Sequence, residues 1–440
     1  MSTFQFPSGF LWGAATAAHQ VEGNNTHSDW WAWEQAGRVK ERSGLACDQY
    51  NRFASDFDLA ASLGHNAHRL SIEWARIEPE EGRFDDAEVA HYVDVIKALR
   101  TRGLEPLVTL HHFTSPQWLT AQGGWTNPKV VDLYARYVRR IADALIGEVH
   151  FWITINEPMV FLRLHYLEGL GPPGLKDLGQ GLKVIEHMIL AHAAAFRILH
   201  GAAKARGTTV SVSVAKHLPA FTACKLWSPM DHWVTRITDH IFNVAFLDAL
   251  TEGRWKVKGV GDWKFPEARQ SLDFLGVNFY GRNFIHWQRT INGWPAVNCD
   301  LADHPHRVPK RTSLGWDVDP ASFERVLVRW SSLGLPIIVT ENGAWMTDDA
   351  RRWEFIEGHL QAVARAIKRK ANVIGFCYWS LLDNFEWAEG YGPRFGLIEV
   401  DYATQQRTIR DSARRYAEVC RSNTLLGSDP KLNPGVRPQA

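Results

Sequence analysis

The chain has 440 residues, longer than the usual single domain of about 100–200 residues but within reach of one large α/β barrel with insertions. Its 49 Lys and Arg against 48 Asp and Glu leave a formal charge of +1, which supplies neither a basic stripe for nucleic acid nor an acidic tail. Hydrophobic content of 45% suits a large core, and no run approaches the ~18 apolar residues of a membrane span.

Short β-branched runs alternate with helical patterns along the chain. Strands are predicted over 10–15, 67–74, 106–112, 150–155, 210–216, 274–280, 336–340 and 373–379, several of them continuously apolar, as in parallel strands covered on both faces. Between the second and third, "AEVAHYVDVIKALRTRG" repeats Val89, Tyr92, Val93, Ile96 and Leu99 at helical spacing and closes on Gly103. Asn127 with Pro128, and Asp319 with Pro320, have the form of helix starts, the second helix stopping at Gly334. Eight strands each followed by a helix predict a single (β/α)8 TIM barrel, with long βα loops forming a pocket at the C-terminal face. A doubly wound sheet is the competitor, but no GxGxxG follows the first strand. The segments 166–180 and 283–315 are Gly/Pro-rich and polar, as long loops are. Residues 1–423 form the expected catalytic unit, and 424–440 an expected disordered tail. Five scattered Cys (47, 224, 299, 377 and 420) without a CxxC pair, and an N-terminus unlike a secretory signal, lead to an expectation of reduced thiols in the cytoplasm.

A barrel of this kind carries its site at the C-terminal ends of the strands. Those ends bring His19 and Gln20, Arg69 and Glu73, His111 and His112, Asn156 and Glu157, Asn278 and Tyr280, Glu341 and Asn342, and Trp379. One such residue is most often a satisfied core polar group; a cluster at seven ends indicates a site. Glu157 and Glu341 are carboxylates on facing strands, each followed by a helix-breaking Pro or Asn-Gly. Paired carboxylates across a barrel mouth suit glycoside hydrolysis, one protonating the leaving oxygen and the other attacking the anomeric carbon or activating water. Arg69 can keep one of them ionised, while apolar walls or the anionic partner raise the pKa of the other. Metal ligation is the rival use of these His and Glu residues, but no HExxH or other spaced ligand set is present, and consecutive His111 and His112 point to opposite faces. No cofactor is called for. The 20 Trp serve mainly as core, although indole faces also stack on the C–H faces of sugar rings.

Over residues 4 to 422 the chain resembles the family 1 glycoside hydrolases, the β-glucosidase family. The resemblance is carried by "FPSGFLWGAATAAHQVEG", "HRLSIEWARIEP", "PLVTLHHFTSP", "TINEP", "LGVNFYGR", "IIVTENG" and "YWSLLDNFEWAEGYGPRFGLIEVDY". It implies that Glu157 is the general acid/base and Glu341 the nucleophile. It implies that Gln20, His112, Asn156, Glu386 and Trp387 bind hydroxyls of the innermost sugar, with Trp379 as the platform under its ring. Arg69, Asn278 and Tyr280 would orient the two glutamates. The activity so implied is that of a retaining, exo-acting β-glycosidase on terminal β-glucosyl residues, with β-fucosides and β-galactosides as co-substrates and transglycosylation by the same residues.

Several departures qualify the match. "HHFTSP" stands where the family commonly has "YHWDLP", so Phe113 replaces a Trp that walls the innermost subsite. Glu386-Trp387-Ala388 lacks the Ser, Lys and Tyr set of members that hold a 6-phosphate, and Glu386 would repel one. Glu157 is intact where thioglucosidases carry Gln. The stretch 162–183, which helps build the outer subsites, also departs from the family's wording. The alternatives weighed are a non-catalytic sugar-binding barrel, a 6-phospho-β-glycosidase and an endo-acting cellulase-like barrel. The partner expected is a small β-glycoside, with no nucleic acid and no membrane; monomer and small homo-oligomer both stay open.

Overall fold

Eight short parallel strands close on themselves, and their order around the ring follows the chain. The computed structural model describes residues 2–288 and 296–427. The strands are β1 (Leu11–Ala15), β2 (Ala67–Ser71), β3 (Glu105–Thr109), β4 (Phe151–Asn156), β5 (Ser211–His217), β6 (Leu275–Asn278), β7 (Ile337–Asn342) and β8 (Val373–Trp379). Every expected strand is present. The second stops at Ser71 because Glu73 caps a helical turn, Trp74–Ile77, by accepting from Ala75 N.

Alternation along each strand divides the side chains between two cores. In β2, Ala67 joins Ala15, Leu107, Ile153, Ala215, Ile338 and Cys377 inside the barrel, whereas His68 turns outward against Phe57. The outer layer, between strands and helices, holds most of the buried aliphatic and aromatic side chains, each worth roughly 1.5–3 kcal/mol of transfer free energy. Helix Asp86–Thr101 starts on Asp85, which accepts from Ala87 N and Glu88 N, and Gly103 follows it at φ +71°. Asp319 caps Pro320–Trp330 through Ser322 N. Asn127 accepts from Lys129 N, but the helix itself begins at Val130.

Ladder register shifts at four places among the described residues: between Ile337 and Ile338 at the start of β7, and between Ile153 and Asn156, between Val277 and Asn278, and between Val339 and Asn342. The last three lie at strand ends that carry expected site residues. Such irregularities re-aim side chains, and here they turn Asn156, Asn278 and Glu341 toward one mouth.

Three expectations are corrected. The two Gly/Pro-rich segments are not loops throughout: helix Leu178–Arg206 begins inside the first. In the second, strand Arg282–Trp287 pairs with Ala296–Asn298 on one side and with Ala220–Ala223 on the other, while 289–295 lie outside the described residues. Secondly, the chain holds its form past Asn423. Thr424–Gly427 pairs antiparallel with Ser2–Gln5, and Leu425 is buried, so apolar burial extends the ordered fold by one strand; the rest of the expected tail, 428–440, lies outside the described residues. Thirdly, Cys224 and Cys299 form a disulfide. Their separation of 75 residues gave no sign of it; the small sheet brings them together. Cys47, Cys377 and Cys420 are free and buried. Among the described residues no helix is long and apolar enough to cross a membrane.

Candidate active site

The mouth of the barrel is organised around one fully buried cation, Arg69. Its Nη1 pairs with Glu341 Oε1, its Nη2 donates to Asn156 Oδ1 at 2.7 Å, and its Nε donates to Thr109 Oγ1 at 3.1 Å. A guanidinium only donates, so the direction of every bond beyond it follows. Asn156 Oδ1 also accepts from Asn278 Nδ2 at 3.1 Å, which leaves Asn156 Nδ2 to donate to His112 Nε2 at 3.2 Å. The His112 proton therefore resides on Nδ1, which has no protein partner. Burial, with Arg69 next, holds the His112 pKa well below the ordinary range, so the ring is neutral. Thr340 Oγ1 donates to Asn278 Oδ1 at 2.6 Å and so turns the Asn278 amide nitrogen toward Glu157 Oε1, 2.8 Å away.

The two carboxyl groups receive different treatment. Glu341, near the end of β7, meets the Arg69 guanidinium on one oxygen and the Tyr280 hydroxyl on the other at 2.6 Å. The chain after it must be Gly343, since a Cβ there would stand 1.7 Å from Trp379 O. Glu157 leaves β4 at φ +44°, a left-handed conformation that costs a non-glycine residue energy. Pro158 bars the right-handed helical region to it, and Glu157 N donates to Ala215 O at 2.7 Å. This carboxyl is buried and has its pKa pushed up, first by desolvation and then by the charge of Glu341; the Asn278 hydrogen bond opposes the rise.

A second wall converges on the same mouth. Gln20, on the turn Ala18–Val21 after β1, donates to Asn384 Oδ1, Phe385 O and, at 3.4 Å, Glu386 Oε2. Its Oε1 is buried without a protein partner. Glu386 is half-buried, and desolvation followed by the charge of Glu341 raises its pKa to about 8. The rings of Trp379 and His112 lie nearly parallel with centroids 5.9 Å apart, and Trp387 lies parallel to His112 at 6.3 Å. Buried polar groups that the protein leaves unpaired, set beside flat indole faces, are what a polyhydroxylated ring requires.

A family model described as glycosyl hydrolase family 1 matches residues 2–425. The chain belongs to glycosyl hydrolase family 1. Beta-glucosidase A of Thermotoga maritima is 31% identical over 97% of this chain and 100% of its own length. A bifunctional beta-D-glucosidase/beta-D-fucosidase of Bifidobacterium breve is 32% identical over 94% of this chain and 98% of its own. The solved beta-glycosidase from Pyrococcus horikoshii superposes with a TM-score of 0.90 at 37% identity, covering 98% of each chain.

Within this family 1 barrel the expected residues Gln20, Arg69, His112, Asn156, Glu157, Asn278, Tyr280, Glu341, Trp379, Glu386 and Trp387 are joined by the bonds and ring contacts above. Four other strand-end residues turn elsewhere. Glu73 caps its own helical turn and accepts from Thr114 Oγ1. His111 packs against Trp125 and Phe161, and Asn342 donates to Phe279 O. His19 pairs with Glu34 at 2.8 Å and stacks behind Trp387 at 5.5 Å. Phe113, at φ +70°, lies beside both His112 and Trp387, with ring centroids 5.3 and 5.4 Å away.

The fifth strand end went unread in the sequence, yet it contributes Lys216 and His217. Lys216 is wholly buried, donates to His217 O at 2.8 Å, and has its pKa lowered to about 7 by desolvation, which Glu157 opposes. His217 Nδ1 stands 3.9 Å from Glu157 Oε1 and 3.2 Å from Asn278 O. The available signal was a Lys closing a strand in which Val210, Val212 and Val214 alternate with Ser211, Ser213 and Ala215.

Proposed function

We propose that the protein is a retaining, exo-acting β-glycosidase that releases the terminal non-reducing β-D-glucosyl residue from β-glycosides and short oligosaccharides. The fucosidase activity named for the Bifidobacterium breve relative supports β-fucosides as co-substrates, and β-galactosides are expected beside them. The observation that carries the reading is the unlike treatment of two neighbouring carboxyl groups on one hydrogen-bonded frame. Glu341 meets two donors, whereas Glu157 has one side-chain donor and a pKa pushed upward.

The steps follow from those environments. Glu341 attacks the anomeric carbon as Glu157 passes its proton to the departing glycosidic oxygen, leaving a glycosyl ester on Glu341. That ester neutralises the Glu341 charge, so the pKa of Glu157 falls and it becomes the base that takes a proton from the incoming water. A sugar hydroxyl in place of water gives transglycosylation. His112 Nδ1–H, Gln20 Oε1, Asn156, the Glu386 carboxyl and Trp387 hold hydroxyls of the ring, and Trp379 is the platform under its face. Arg69, Asn278 and Tyr280 keep the carboxyl groups aimed. We assign the catalytic unit to residues 2–427, the terminal strand Thr424–Gly427 included. We propose a cytoplasmic location, which the three free thiols favour and the Cys224–Cys299 disulfide opposes.

Hydrolysis of nitrophenyl β-D-glucoside, followed by proton NMR, tests the reading. Wild type should release β-glucose first, with the α-anomer appearing only by mutarotation. Release of α-glucose first would show inversion, and wild-type turnover no faster than that of Glu341→Gly would leave a sugar-binding barrel as the better account.

A further inference from the structure

The three-stranded sheet on the barrel rim holds a group of side chains that the hydrolytic site does not use. Cys224 Sγ, Cys299 Sγ and His304 Nε2 lie within 4.8 Å of one another, and so do the donor atoms of Cys224, Asp231 and His286. Cys224 belongs to both triplets. The His304 ring stacks on Phe284 with centroids 4.7 Å apart, which points its Nε2 at Cys224 Sγ, 3.2 Å away. A disulfide sulfur is a weak acceptor, so this contact contributes little as a hydrogen bond. It is close to the ligand-to-ligand edge of a tetrahedral zinc centre: Zn–S of about 2.3 Å and Zn–N of about 2.0 Å place S and N roughly 3.5 Å apart.

The surroundings suit such a centre. The Cα atoms of the two Cys are 6.5 Å apart, which lets the sulfurs separate by side-chain rotation alone. Asp231 accepts from Lys225 N, Trp287 N and His286 Nδ1 and so fixes the orientation of His286, as carboxylates do for ligating histidines. Arg307 donates to Ala223 O and Cys224 O, placing a cation where it favours thiolates.

We propose that Cys224, Cys299 and His304 form a Zn2+ site, with its fourth position toward Asp231 and His286, that the disulfide masks when the pair is oxidised. A dithiol or phosphine reductant supplies two electrons to the S–S bond and is itself oxidised, and two protons complete the thiols. Zn2+ then binds both sulfurs as thiolates and releases those two protons to solvent. Either link, sulfur to sulfur or sulfur to metal to sulfur, ties strand Ala220–Ala223 to the chain beyond Asn298. That strand begins shortly after His217, and its partner Arg282–Trp287 begins shortly after Tyr280, so the link holds together two loops that bear site residues.

Cobalt(II) and zinc binding by the full chain test the site. Reduced and desalted wild type should take up one equivalent of Zn2+ and give a thiolate-to-cobalt charge-transfer band with Co2+, while the oxidised protein gives neither. Cys47, Cys377 and Cys420 are buried, so they do not compete. Cys299→Ser should abolish the band, and His304→Ala should lower affinity roughly 10- to 100-fold. Should Cys299→Ser fail to fold, alkylation of the reduced wild type serves in its place. A reduced protein without the band, a band that survives Cys299→Ser or alkylation, or unchanged affinity in His304→Ala would overturn the proposal. Hydrolysis of nitrophenyl β-glucoside, read on the same samples, reports the barrel mouth separately.

Discussion

The ends of β4 and β7 present the same residue type in the same position, a glutamate where an apolar strand gives way to a helix breaker, and the fold makes them chemically opposite. Glu341 stays within its strand and meets a guanidinium and a phenol hydroxyl. Glu157 leaves its strand in a left-handed turn, with one amide donor and a pKa raised by burial and by its neighbour's charge. A carboxyl's role in such a pair is decided by the donors aimed at it, and those donors come from other strands: Arg69 from β2, Tyr280 and Asn278 from the β6 end.

Removing each partner should separate the two roles. The largest loss is expected from Glu341→Gly, which removes the nucleophile and should lower kcat by roughly 10^4-fold or more for every substrate, as loss of a covalent nucleophile does. Steady-state assays on an alkyl and a nitrophenyl β-glucoside measure it, and a loss confined to one of them would contradict the assignment. Glu157→Gln should slow the alkyl glucoside by roughly 10^2- to 10^4-fold and the nitrophenyl glucoside far less, because only the poor leaving group needs the proton. Equal losses would remove Glu157 from the acid role.

A smaller effect lies in pH. Burial and the charge of Glu341 hold the Glu157 pKa above the usual carboxylate range, so its acid form persists to higher pH and is lost as pH rises through the raised value; kcat/KM for the alkyl glucoside should fall on that limb. Glu386 titrates in the same region, and Asn278→Ala tells the two apart. The amide of Asn278 favours the ionised form of Glu157 and does not touch Glu386, so the limb should move upward in the variant. An unmoved limb would assign it to Glu386. The smallest change is expected from Phe113→Trp. An indole beside His112 and Trp387 should alter the ratio of β-glucoside to β-galactoside kcat/KM by about tenfold, the scale of one added contact in a pocket wall. Unchanged ratios would make Phe113 a filler.

Much of the barrel and its mouth was legible in the chain because both obey local rules. Continuous apolar runs mark strands covered on both faces, Gly103, Gly334 and Asp319 punctuate helices, and a polar residue ending such a run has few structural uses. Lys216 escaped because a lone cation at one strand end carries no pattern by itself; the carboxyl that acts on it, Glu157, is brought near only around the ring. The disulfide and the last strand escaped for a like reason. Cys224 meets Cys299, and Thr424–Gly427 meets Ser2–Gln5, through pairings distant in sequence that no local periodicity encodes.

By itself, then, the sequence determined where each strand ends and which polar residues stand there, since both are local properties, and its motifs carried the resemblance that named the loop residues. Only the tertiary structure decided what each of them is there. Closure of the ring puts Arg69 beside Glu341 and Asn156, and that single cation orders the direction of the amide and imidazole bonds as far as His112. Burial within the closed barrel and the charge of Glu341 push the pKa values of Glu157 and Glu386 upward. Desolvation and charge depend on distances through space, which exist only once the strands have closed.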